Sequence, residues 1–215
     1  MTRARLIRVA ECLFAEKGVQ SVSLNEINKV AEQRHGSACQ YHFGNKKGLI
    51  QAILDKHGPD IAEERDQRFD RLSHHQPRVR LEEVVAALVE PVATKLLDLD
   101  GGKDFVRLIA QMIAVPTLGI RTLLQQSFVT PRTTWLNEML AAALADRDIP
   151  SAIADQRLMV ASVMLYHGLA GYSYLLEATG SLDEHHVRAF SADLQTMVTA
   201  TLVAPIPNLL PLHVE

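Results

Sequence analysis

The sequence predicts an all-α protein, and three observations carry that expectation. Apolar residues recur at i, i+3 and i+4 along most of the chain, period-2 alternation is hard to find, and Gly and Pro punctuate the stretches between. Hydrophobic residues make up 47% of the 215 residues but aromatics only 5%, a balance that suits packed helices better than sheet faces. A chain of this length buries a sizeable core in one or two domains.

The first helix is expected over residues 2–17, with Leu6, Ile7, Ala10, Leu13 and Phe14 on its core face and Gly18 as the left-handed residue that ends it. Ser23 with Glu26 three residues on is a capping box, and Val22 with Ile27 is a hydrophobic staple. Ile27, Val30 and Ala31 continue that second helix as a single apolar face. A polar run, Glu32 to Gly36, breaks the period before a short helix over 37–43, which Gly44 ends. So short a helix is marginal alone and must be held by its neighbours, through Ala38, Cys39 and Phe43. Its other face carries Ser37, Gln40, Tyr41 and His42, with Arg34, His35, Lys46 and Lys47 around it. Amide, hydroxyl and imidazole groups on a rigid helix flanked by cations are what major-groove reading requires. Spacing alone fits a solvated surface helix equally well.

A long helix follows from Asn45, with Leu49, Ile50, Ile53 and Leu54 inward; Gly58-Pro59 predicts a kink or a break in it. Residues 60–72 are highly charged, and 73–77 form a loop. Further helices are expected over 81–97 (containing Pro91), 105–115, 120–128, 131–146, 152–179 and 182–202, with Thr130-Pro131 as a helix start and Gly180 as a stop. The proline-rich tail after 204 is expected to lie extended.

Leu6 to Leu54, on the pieces LIRVAECLFAEKGVQSVSLNEI and QYHFGNKKGL, resembles the N-terminal DNA-binding domain of the TetR family of bacterial transcription regulators. Tyr41-His42-Phe43 matches the end of that family's recognition helix, and Lys46 the residue that opens its fourth helix. Two features differ: the turn before the recognition helix is one residue longer, and Gln40 stands where the family commonly has Tyr. The resemblance implies a helix-turn-helix domain (1–48) joined by helix four to a ligand-sensing and dimerising body (49–215). It also implies a homodimer, associated through its last two helices, that binds a double-stranded DNA operator and answers to a small-molecule effector, most often as a repressor.

Charge distribution agrees. Net charge is −3, but residues 1–57 hold 9 Lys+Arg against 5 Asp+Glu, leaving an acidic remainder. Ser37, Gln40, Tyr41 and Arg34 are expected to read bases; Ser23, Asn25, His42 and Lys46 to hold phosphates, with His35 beside them, and Arg3 and Arg5 are either an arm on the backbone or solvated. For the effector the candidates are Arg107, Gln111, Trp135, Met139, Tyr166 and His167, polar or polarisable groups among apolar faces. For the dimer they are Ala161, Leu165, Gly168, Leu169 and Tyr172 on one helix and Val187, Phe190, Leu194, Met197 and Val198 on the next, although core packing within one chain explains the same pattern.

Other classes find less support. The sequence holds no nucleophile elbow, phosphate loop or His-x-x-x-His, so neither an enzyme nor a cofactor is expected. Cys12 and Cys39 lack metal spacing and are expected to be reduced fillers, and His74-His75 and His185-His186 to face solvent. No apolar run reaches the ~18 residues that span a bilayer, which points to a cytoplasmic protein and no membrane partner. The alternative is a helical ligand-binding dimer without specific DNA binding.

Overall fold

A computed structural model describes residues 2–33, 36–73, 80–114 and 131–206. Among them all regular structure is helical: α1 (Thr2–Lys17), α2 (Leu24–Val30), α3 (Ala38–Phe43), α4 (Lys46–Ser73), α5 (Leu81–Thr94) with a 3-10 turn at Lys95–Leu97, α6 (Gly102–Ala114), α7 (Pro131–Ala145), α8 (Ser151–Thr179) and α9 (Glu184–Val203). The expected helix over 120–128, the Thr130 cap and the end of the tail lie outside the described residues.

Local signals behave as the residue chemistry requires. Gly18 takes φ +86° and closes α1 with its amide on the Phe14 carbonyl at 3.0 Å. Ser23 Oγ accepts the Glu26 amide at 3.1 Å, satisfying an orphan donor of α2, while Val22 and Ile27 are fully buried beside it. Asp183 caps α9 in the same way, accepting the His186 amide at 2.9 Å. Pro59, by contrast, neither ends nor splits its helix: α4 runs unbroken for 28 residues. Pro59 and Asp55, one turn before it, are both exposed, so water can take up the carbonyl that lost its amide partner. The charged stretch 60–72 therefore belongs to the same helix as the head contacts.

The head, α1 to α3 with the start of α4, packs around Leu6, Phe14, Ile27, Leu49 and Ile53, all with no exposure. In the body α9 lies on α5 and α8, and α6 lies between α1 and α8. Head and body share one continuous apolar core, from Leu6 to Leu202. Among the described residues no helix is long and apolar enough to cross a membrane.

Within the chain, the last two long helices cover most of the residues expected at a dimer face. Ala161, Leu165, Leu169, Val187, Leu194 and Val198 are buried within the chain itself. Tyr172 and Phe190 stack on each other at 3.9 Å, and Gly168 faces Leu194 and Phe190. Only Met197 of that set is exposed. Periodicity identified an apolar stripe without saying what covers it, and here each helix covers the other. Their outward faces carry a second set: Val160, Val163 and Leu175 on α8, with Met197 and Val203 on α9.

Arg107 ties α6 to α8. It is buried, with Nε donating to Ser173 Oγ at 2.9 Å, an Nη donating to Glu177 at 2.5 Å and its guanidinium 3.6 Å from the centre of the Tyr174 ring. Lys103 pairs with the same Glu177. Burial raises Glu177, but the hydrogen bonds from Lys103 and Arg107 outweigh it and hold the carboxyl below its usual range. A carboxylate depressed in the folded state contributes stability that is fully present above the unfolded value near ~4.3 and is lost as pH falls through the folded one. Glu177→Gln should therefore lower the melting temperature by a few degrees at pH 7, and the gap to wild type should shrink below about pH 4. Thermal melts at the two pH values check this; a gap independent of pH would rule the ion pair out as its source.

Candidate nucleic-acid interface

The short α3 begins without a cap of its own, since Ser37 makes no side-chain hydrogen bond to the first turn. The missing acceptor comes from α2. Asn28, 2% exposed, receives the Cys39 amide on Oδ1 at 2.9 Å and donates Nδ2 to the Gly36 carbonyl. One side-chain amide thus satisfies both ends of the turn and holds α3 against α2. The turn needs this grip because Glu32 sits at φ +54°, which costs a non-glycine residue energy. Glu32 is held by an ion pair with Arg5 of α1. Sequence reading missed Asn28; the signal available was an amide at the position after Ile27, off the solvent face of α2.

Held this way, α3 presents Ser37, Gln40, Tyr41 and His42 outward, and all four are exposed. Tyr41 is 85% exposed, a large aromatic that meets the edge of the His42 ring 5.1 Å away. Gln40, Lys47 and Asn25 are also exposed, so amide and ammonium groups are available beside the phenol and imidazole. A cleft of about 470 Å³ runs beside α3, lined by Thr2, Glu32, Gln33, Ser37, Tyr41 and His42. On the inner side Cys39 is buried, and burial pushes its thiol up, away from the reactive thiolate. Burial also raises Cys12, with Glu16 adding to it.

Several expected phosphate contacts are engaged elsewhere. Lys46 donates Nζ to the Val19 carbonyl at 2.8 Å and lies 3.4 Å from that of Gln20, so its ammonium binds the loop after α1. Arg5 is paired with Glu32, and Arg3 lies 5.3 Å over the Phe43 ring. Ser23 spends its hydroxyl on the α2 cap. Arg34 and His35 lie outside the described residues.

Among the described residues, the effector candidates are not gathered into one site. Arg107 is locked by Ser173 and Glu177, and Gln111 donates to the Ala15 carbonyl of α1 at 2.9 Å, its Oε1 buried without a partner. Met139 and Tyr166 are half-buried against the core and His167 is exposed; the Trp135 side chain lies outside the described residues. None of the other five lines the 440 Å³ cleft between α4, α5 and α9, which is walled by Arg68, Glu90, Thr94, Leu97, Arg188 and Gln195. His74-His75 falls outside the described residues, and His186 packs its ring nitrogen against Asp183 at 2.9 Å.

Comparison with known proteins points the same way. The chain is 43% identical over 54 residues to the HTH-type transcriptional regulator TtgR of Pseudomonas putida, covering 25% of each protein. The probable HTH-type transcriptional regulator ArpR of Pseudomonas putida matches with the same identity and coverage. The match thus spans about a quarter of the length of these curated relatives. In fold, the chain is similar to a Rhodococcus sp. protein whose crystal structure is described as a TetR-family transcriptional regulator, with a TM-score of 0.51 at 14% identity, covering 92% of this chain and 98% of that one. No family model matches the chain.

Replacing Asn28 by Ala leaves the Gly36 carbonyl and the Cys39 amide without their partner, so unfolding free energy should drop by about 1–3 kcal/mol. Urea denaturation measures it; an unchanged midpoint would mean that α3 is held by its apolar contacts alone.

Proposed function

We propose that this all-α chain of TetR fold is a DNA-binding transcription regulator acting in the cytoplasm as a homodimer. The observation that carries the reading is the exposed face of α3, where Ser37, Gln40, Tyr41 and His42 stand on a helix clamped by Asn28, within the segment most similar to known helix-turn-helix regulators. Gln40 and Tyr41 read base edges, Ser37 and His42 contribute at the border, and Lys47 and Asn25 meet phosphates. Lys46 acts mainly by fixing the loop after α1, and Arg34 and His35 join the reading set on the sequence alone.

Dimerisation uses the outward faces of α8 and α9, with Val160, Val163, Leu175, Met197 and Val203 at its centre, because exposed apolar stripes of this kind mark association surfaces. A two-fold dimer then carries two heads to half-sites related by the same symmetry. The sense of regulation is repression relieved by a small molecule. The α4/α5/α9 cleft supports that reading, since it is of ligand size and its Arg68 belongs to the helix that carries the head.

The test is binding of the purified protein to duplex DNA flanking its own gene and to a random duplex library, with competitor, across a salt series. Competitor-resistant binding with a steep salt dependence is expected. Gln40→Ala should lose discrimination of about 1–3 kcal/mol at one base position and leave the salt slope unchanged. Failure to select any sequence would instead establish a helical ligand-binding dimer without specific DNA binding. Val163→Glu changes an exposed residue and should leave the fold intact while halving the sedimenting mass; a dimer that persists would place the interface elsewhere.

A further inference from the structure

Glu11 lies on α1 with no exposure at all, at the point where head, connecting helix and body meet. Its Oε2 accepts from Lys56 Nζ at 3.0 Å, and its Oε1 lies 2.9 Å from His57 Nε2 and 3.2 Å from the same ammonium. Both partners belong to α4. Lys56 in turn donates to the Asp100 carbonyl at 2.6 Å. His57, itself 1% exposed, packs its ring 4.5 Å from that of Phe105 in α6, with Nδ1 3.8 Å from Asp98 Oδ2. Asp98, Asp100 and Gly101 form the turn that enters α6. Gly101 sits at φ +92°, and a Cβ there would overlap Glu11 Oε2, so the turn closes directly onto the carboxylate. The same two bodies are joined a turn further along α1, where Gln111 of α6 and Tyr174 of α8 both donate to the Ala15 carbonyl, at 2.9 and 3.1 Å.

A buried carboxylate is tolerated only while it is paired and hydrogen-bonded. Any rotation of α1 against α4 leaves Glu11 short of a partner inside the core, and any shift of the 98–101 turn takes the Asp100 carbonyl from Lys56. The arrangement therefore selects one orientation among the many that apolar packing would allow. We propose that Glu11 is the positioning residue that locks the DNA-reading head in one orientation on the sensor body, so that the shape of the 98–101 turn sets the separation of the two heads. Displacement of α6 then reaches the head through this carboxylate as well as along α4. The inference rests on the regulator reading for its consequence, but not for its geometry.

Two variants attack the contact from opposite sides: Glu11→Gln keeps the shape and removes the charge, and Gly101→Ala alters no residue of the head but sets a Cβ against its carboxylate. Spin labels at Lys29→Cys in the head and Asp155→Cys in the body, on a full-length chain with Cys12→Ser and Cys39→Ala, report the head-to-body distance when diluted with unlabelled chain. The parent should give one narrow distance, and both variants a broad or divided one, with helical content unchanged. On selected operators, single half-site affinity and salt slope should hold, while discrimination among two-half-site duplexes of different spacing falls by about tenfold. A narrow distance in both variants overturns the proposal, and so does an intact spacing preference beside a broadened distance. If no duplex binds, the regulator reading fails, and the distance distribution still decides whether Glu11 fixes the head.

Discussion

Burial of one carboxylate on the first helix constrains the rest of the molecule. Removing Glu11 from water is costly, and the cost is recovered only where an ammonium and an imidazole from α4 converge on it. That convergence fixes where α4 crosses α1. The turn into α6 must then lie against the same spot, which requires a residue without a side chain at 101. With α6 set, Gln111 and Arg107 reach α1 and α8 respectively, and α8 sets the place of α9. Apolar burial supplies most of the stabilisation, but it is non-directional; the polar contacts choose among packings that burial alone would accept.

The reading surface obeys a similar logic on a smaller scale. A six-residue helix has too few internal hydrogen bonds to persist alone, and its first turn would be left with unsatisfied amides. Asn28 resolves both at once from the preceding helix, leaving the outer face of α3 free of structural duty. Cations near the edge divide by role: Lys46, Arg3 and Arg5 hold the head together, whereas Lys47 remains exposed. A basic count for the N-terminal segment cannot separate these roles, because it registers charge and not what the charge is aimed at.

Legibility in the sequence followed the range of the interaction. Ser23, Gly18, Gly180 and Asp183 act within four residues of themselves, so their caps were readable or nearly so. Pro59 failed as a breaker because its effect depends on whether the freed carbonyl meets water, a matter of which side of α4 faces out. The apolar stripes of α8 and α9 were readable as stripes, but periodicity does not say what covers them, and helices of the same chain cover most of those residues. Arg107 and Gln111 stood out as polar groups among apolar neighbours, and that oddity was real. Its cause is a structural bond to Ser173 and Glu177 in one case and to Ala15 in the other.

By itself, then, the sequence determined the helical class, the local caps at Gly18 and Ser23 and the polar face of the third helix, because periodicity and local hydrogen bonding are properties of neighbours along the chain. Tertiary structure alone decided which stripe stays exposed, which cations remain available and how the head is seated on the body. Those outcomes depend on partners tens of residues away, Glu11 with Lys56 and Gln111 with Ala15 among them, and no local pattern encodes a distance across the fold.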